Sequence, residues 1–95
     1  MSTTTAEPAA EAAADPAARI GELRQEIDAC DAGIIELVRR RLGISQEIGR
    51  LRAAAGGTRL SLSREQRVLA RFQEALGPDG AALALMLLRQ GRGRL

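Results

Sequence analysis

The sequence predicts an all-α fold, a three-helix chain with a long first helix that pairs with a second copy of itself. Three observations predict it. Counted in sevens, residues 20 to 52 place an apolar side chain on nearly every a and d seat: Ile20, Leu23, Ile27, Cys30, Ile34, Leu37, Ile44, Ile48 and Leu51. A 3.5-residue apolar repeat of that length describes a helix that buries one stripe against other helices. Two shorter apolar patterns follow, each bounded by glycine, proline or a polar cap. Finally, only about 77 of the 95 residues can contribute to a core, a size at which a lone core is marginal and oligomerisation is a common remedy.

Taken in order, residues 1 to 14 hold no branched aliphatic and no aromatic residue. Residues 1–15 are therefore expected to form a disordered tail ahead of one domain, 16–95. Asp15-Pro16 suits a helix start, aspartate as N-cap and proline at the first helical position, where its missing N–H is not needed. The repeat runs without a breaker to Leu51, and Ala53-Ala54-Ala55 extend it until Gly56-Gly57 stop it. About 40 residues at 1.5 Å each give roughly 60 Å, against about 25–30 Å for a compact domain of this length. Such a helix overhangs its own chain. Gly21, Gly33, Gly43 and Gly49 each weaken it by up to about 1 kcal/mol, so packing must hold it.

Thr58 to Leu62 is a short connection with β-branched character. Ser63-Arg64-Glu65-Gln66 then reads as a capping box opening a second helix, with Val68, Leu69, Phe72 and Leu76 on one face and a stop at Leu76-Gly77-Pro78. Asp79 is expected to cap a third helix, Ala81 to about Gln90. Its apolar residues run all round, which predicts the most buried of the three. Gly91-Arg92-Gly93-Arg94-Leu95 reads as too glycine-rich to stay helical.

Composition narrows the chemistry. All 14 basic residues are arginine, and there is no histidine. The net charge is +2, but Glu7, Glu11 and Asp15 sit in the tail, so residues 19–95 carry +5 from 14 arginines and nine carboxylates. Without histidine, neither a Ser/His nor a Cys/His nucleophile pair can form, and most transition-metal sites are removed. No cofactor is implied. Cys30 cannot make an internal disulfide and reads as a packed thiol. No apolar run reaches the roughly 18 residues of a membrane span, and the amino terminus lacks the basic start and apolar core of a secretion signal. The expected setting is cytoplasmic.

What remains is guanidinium groups at helical spacing, a few serines and Glu65, a set suited to a reaction that needs fixed cations and no proton transfer. Arg41 takes an a seat in the apolar seam, which costs several kcal/mol unless an anion meets it. Arg52 lies eleven residues on, within about 20° of Arg41 around the helix and three turns away. Either the two face a pocket for a small anion, or Arg41 snorkels its head into water. Arg24, 17 residues before Arg41, is turned about 260°. It is either a solvated e-seat charge or, in a two-fold dimer, a contributor to the other chain's pocket. Glu65 at a helix start is stabilised by the dipole whatever its function, whereas the cation Arg64 is not. Arg39 and Arg40 fall on solvated f and g seats, and Arg59 sits in the connection.

The ordered set Leu23-Arg24-Gln25-Glu26-Ile27-Asp28, Leu37-Val38-Arg39-Arg40-Arg41, Ile48-Gly49-Arg50-Leu51-Arg52 and Ser63-Arg64-Glu65 resembles the all-helical chorismate mutases over residues 20 to about 76. Gly56-Gly57-Thr58-Arg59-Leu60, Leu76-Gly77-Pro78-Asp79-Gly80 and the Gly91-Arg92-Gly93-Arg94-Leu95 ending resemble their short actinobacterial branch. The resemblance implies an intertwined homodimer with shared first helices and two active sites. It also implies rearrangement of the dicarboxylate chorismate to prephenate, on the way to phenylalanine and tyrosine. By resemblance, Arg24 of the opposite chain and Arg41 hold substrate carboxylates. Arg52 stands at the family's catalytic cation, donating to the breaking ether oxygen and a carboxylate. Glu65 contacts the ring hydroxyl, Arg64 lines the same wall, and Ser61 occupies a seat that is aspartate in some relatives.

The family's third helix usually ends in a polar residue that shares the ether oxygen with the cation, and no side chain of Gly91 to Leu95 aligns with it. One such donor is worth about 2.7–4 kcal/mol of barrier, so the expected enzyme is weak alone. Members of the short branch are activated by DAHP synthase, and an Arg92/Arg94 tail ordered by that partner fits. Three other readings remain. An isochorismate pyruvate lyase on the same fold differs by its products, salicylate and pyruvate. An arginine-rich helical dimer binding nucleic acid is permitted by the +5 core, but Phe72 is the only aromatic residue, leaving base stacking almost no platform. The expectation is therefore neither nucleic acid nor membrane as partner. In a bare coiled-coil module, Arg41 would merely set register.

Overall fold

The computed structural model describes residues 15–57 and 61–92. The tail expected over residues 1–14, the connection 58–60 with Arg59, and Gly93-Arg94-Leu95 lie outside the described residues. Three helices follow in order: α1 (Pro16–Ala54), α2 (Leu62–Leu76) and α3 (Pro78–Arg92). The chain divides into two compact units, Met1–Ile35 and Glu36–Leu95. The described part of the first is the opening stretch of α1. The second holds the rest of α1 together with α2 and α3.

α1 starts as its sequence dictates. The Asp15 carboxylate accepts a hydrogen bond from the Ala18 N–H at 3.3 Å, and the Asp15 carbonyl accepts one from the Arg19 N–H. With 39 residues, α1 is about 58 Å of helix at 1.5 Å per residue. It contains no buried residue. Its a and d seats stand open, among them Ile27 at 57%, Ile34 at 58% and Leu37 at 64% exposed. Cys30, read as packed, is exposed as well. Surface pairs at i,i+3, such as Glu47–Arg50 at 2.7 Å, contribute only about 0.2–0.5 kcal/mol each.

The helix ends in a Schellman turn. Gly56 takes φ +78°, the left-handed C′ position that a residue without Cβ occupies most cheaply. The Gly57 N–H donates to the Arg52 carbonyl at 2.8 Å and the Gly56 N–H to the Ala53 carbonyl at 3.1 Å. The stop thus anchors the backbone of Arg52.

α2 and α3 form an antiparallel hairpin about one linking residue, Gly77. Its φ of +80° and ψ of −162° are open essentially to glycine alone. The Gly77 N–H closes α2 on the Gln73 carbonyl at 2.7 Å, and Pro78 opens α3. The small core of this unit lies on the hairpin: Val68 is 8% exposed and Ala84 fully buried. Gly80 is also buried, because α3 crosses α2 there so closely that an added Cβ would run into the Phe72 carbonyl oxygen.

Several local expectations need correction. Ser63 does not cap α2: the helix begins two residues earlier than expected, at Leu62, with Ser61 at the N-cap and no side-chain capping bond. Asp79 does not cap α3 but lies in its first turn, because Pro78 already takes the first helical position. Gly91 and Arg92 do not leave the helix. α3 continues through both, held by tertiary contacts that outweigh glycine's low propensity. α3 does carry buried residues, Gly80 and Ala84, yet Leu83, Leu85 and Met86 are 41%, 40% and 61% exposed. Its all-round apolarity exceeds what its own chain covers.

The tight crossing gives a direct test. In Gly80→Ala the new methyl meets the Phe72 carbonyl and lies 2.8 Å from the Leu76 Cβ. Overpacking of this kind should lower the unfolding free energy by about 1–3 kcal/mol, measurable as a reduced urea midpoint with unchanged slope.

Candidate active site

A concavity of about 540 Å³ opens in the second unit, between the last third of α1, the first two turns of α2 and the end of α3. That volume lies in the range of small-ligand sites. Arg41 and Arg52 both line it, with Ile44, Ile48 and Ser45 from the intervening turns. Each of the two arginines is only half-exposed. The eleven-residue spacing is the reason they share a wall: it returns the helix almost to the same angle. The Schellman stop fixes the last turn from which Arg52 projects.

α2 delivers Ser61 at its N-cap, Arg64 and Glu65 in its first turn and Val68 behind them. α3 delivers Leu88, Gly91 and Arg92. Gly91 eases this approach: a Cβ there would lie 2.5 Å from the Ser45 Oγ, which would have to rotate away, and 3.1 Å from its Cβ. Among the described residues, five guanidinium groups (Arg41, Arg50, Arg52, Arg64, Arg92) and one carboxylate (Glu65) border the concavity. Arg50 is turned outward to Glu47, both largely exposed. Ser45, Gln46 and Ser61 add uncharged polar groups, and Ile44, Ile48, Val68 and Leu88 supply the apolar part of the wall. Cations on a half-dry wall act far more strongly than in water, so the concavity suits an anion with more than one negative group.

Glu65 is committed within the chain. The Arg92 Nη2 donates to its Oε1 at 3.2 Å, and the Arg92 Nε lies 3.1 Å from its Oε2. The Nε contact has ion-pair distance without hydrogen-bond geometry. The side chains are 22% and 18% exposed, so the pair is partly shielded from solvent. Each charge also sits where the helix dipoles favour it, Glu65 at the start of α2 and Arg92 at the end of α3.

Of the residues singled out in the sequence, Arg41, Arg52, Ser61, Arg64 and Glu65 border this one concavity. Arg24 does not: it belongs to the first unit, on an exposed stretch of α1. Arg92 was placed in a non-helical ending and so was missed as a wall residue. The signal was present in the hairpin, where two helices of 15 residues about Gly77-Pro78 bring the first turn of one beside the last turn of the other. Among the described residues there is no cluster of three or more His, Cys, Asp or Glu that could hold a metal ion. No described helix is long and apolar enough to cross a membrane.

The sequence pattern of the family chorismate mutase type II matches residues 23–86. The chain belongs to that family. An intracellular chorismate mutase of Mycolicibacterium smegmatis is 53% identical over 81 residues, 85% of this chain and 78% of the relative. One from Mycobacterium tuberculosis is 56% identical over 80 residues, 84% of this chain and 75% of the relative. The fold is also that of a chain in a solved non-covalent complex of DAHP synthase and chorismate mutase from Corynebacterium glutamicum, with a bound transition-state analogue. The TM-score is 0.81 at 46% identity, over 84% of this chain and 96% of that one. Three helices, no histidine and a cationic concavity therefore occur here in a chorismate mutase framework.

The Schellman turn gives this site its own test. Gly56→Ala forces a side chain into the left-handed region, at about 1–2 kcal/mol, and loosens the turn that anchors Arg52. A lowered melting temperature is expected, accompanied by weaker binding of a dicarboxylate inhibitor in titration calorimetry.

Proposed function

We infer that this chain rearranges chorismate to prephenate, an isomerase step of the shikimate pathway toward aromatic amino acids. The observation that carries the reading is the convergence of Arg41 and Arg52 on one concavity of small-ligand size, in a chain of this family. The rearrangement breaks a carbon–oxygen bond and forms a carbon–carbon bond within one molecule, with no proton transferred and no covalent intermediate. The protein has to hold a dianion folded on itself and stabilise the negative charge that grows on the ether oxygen. Arginines that stay charged at all working pH values suit both tasks.

Roles are assigned accordingly. Arg41 holds a substrate carboxylate. Arg52 donates to the ether oxygen and a carboxylate, supported by its place on the wall and its anchored backbone. Glu65 accepts from the ring hydroxyl, with Arg64 and Ser61 completing the substrate-binding wall. Arg24 acts in the pocket of a second chain. The supporting observation is the uncovered a and d seats of α1, each worth about 1.5–3 kcal/mol if fully buried. An intertwined homodimer would cover them. The mutase domain is assigned to residues 16–95, preceded by a tail over 1–15, and the working compartment to the cytoplasm.

The ether oxygen has one assigned donor, Arg52, because the cation that α3 contributes faces Glu65. Turnover by this chain alone is accordingly proposed to be weak and to rise on binding DAHP synthase. The Corynebacterium glutamicum structure, a complex of those two enzymes, supports that choice of partner.

Three outcomes are expected. Chorismate loss should be matched by prephenate, rising when DAHP synthase of the same organism is added; salicylate and pyruvate would instead indicate a lyase. Arg52→Ala should lower kcat/KM by at least 10²-fold, the scale of a lost oxyanion donor, while circular dichroism stays helical. Full activity in that variant would overturn the assigned chemistry. Analytical ultracentrifugation should find a dimer, which Leu37→Arg shifts toward monomer with loss of helix.

A further inference from the structure

The Arg92–Glu65 pair stands apart from the surface pairs of α1. It links residues 27 apart in sequence, and its side chains are only about one-fifth exposed. It also lies on the wall of the concavity that Arg41, Arg52 and Arg64 border. A carboxylate among several cations adopts whichever contact is best, and a swing of a few ångströms would change which oxygen faces the cavity. A guanidinium that holds it by one hydrogen bond, Nη2 to Oε1, and one ion-pair contact, Nε to Oε2, limits that freedom.

We propose that Arg92 is a positioning residue for Glu65: it fixes the orientation of that carboxylate as an acceptor, without itself touching the substrate. A carboxylate has about four acceptor sites, so sites remain for a hydroxyl after the Arg92 Nη2 has taken one. Gly91 eases the arrangement: its missing side chain lets the end of α3 lie against Ser45 and brings Arg92 within reach. The helical continuation through Gly91-Arg92 thereby acquires a purpose: it carries the guanidinium to the first turn of α2. This inference rests on the reading of Glu65 as the acceptor for the substrate's ring hydroxyl.

The test is a double-mutant cycle on kcat/KM for prephenate formation by the full chain, with Arg92→Gln, Glu65→Gln and the double variant. Arg92→Gln is expected to lower kcat/KM about tenfold when Glu65 is present and less than twofold when residue 65 is already glutamine. Arg92→Lys, which keeps the charge without the fork, should recover at least threefold over Arg92→Gln. Equal losses in both backgrounds would overturn the proposal, as would no loss in either. Unfolding free energies of the same four proteins supply a second measurement. Coupling there without coupling in kcat/KM would reduce the pair to a staple between α2 and α3 and overturn the positioning role. Failure of the underlying reading looks different: Glu65→Gln alone would then be fully active, or the native chain would make no prephenate.

Discussion

The structure turns on the difficulty of keeping guanidinium groups half-dry beside apolar walls. A cation removed from water is expensive unless an anion meets it, and among the described residues the second unit gathers several around one hollow. Such a gathering suits the hollow to a small polyanion. The rest of the unit serves to hold the cations against their mutual repulsion. The Schellman turn anchors one, the eleven-residue helical return aligns another with it, and the hairpin end pins the carboxylate.

Holding charge this way explains the chemistry as much as the binding. A reaction that moves electrons around a ring of atoms, with no proton to shuttle, gains nothing from histidine and much from rigid dipoles and cations. Rigidity then has to come from the backbone. Here it comes from short-range devices at helix ends: Gly56 in the left-handed region, Gly77 in a conformation open essentially to glycine, and Gly80 and Gly91 where helices approach closely. Buried apolar area plays a lesser part within the chain, whose core on the hairpin is small. The open stripe along α1 marks where the larger apolar contribution has to enter.

How far the sequence foretold this varies by element. The long helix was legible because its heptad repeat runs from Ile20 to Leu51 with one charged seat, Arg41, and its ends carry unambiguous residues, Asp15-Pro16 and Gly56-Gly57. The angle put Arg41 and Arg52 on one side of the helix but left open whether they face a pocket or water. The start of α2 was misread because Ser63-x-x-Gln66 fits a capping box so well, yet Ser61 already stands at the N-cap. The end of α3 was misread for a different reason: local propensity argues against Gly91 and tertiary packing argues for it. Arg92 was lost with it, since its role depends on a partner 27 residues away. Ser45 carried no pattern at all, and only the approach of α3 reveals it.

The central claim is that several permanent cations converge on a site for a doubly charged small molecule. Titration calorimetry with a rigid bicyclic dicarboxylate shaped like the rearrangement's transition state, set beside its monocarboxylate counterpart, tests it most directly. The account predicts one molecule bound per chain and at least tenfold weaker binding when one carboxylate is removed. Equal affinity for the two compounds, or no saturable binding of the dicarboxylate, would contradict it.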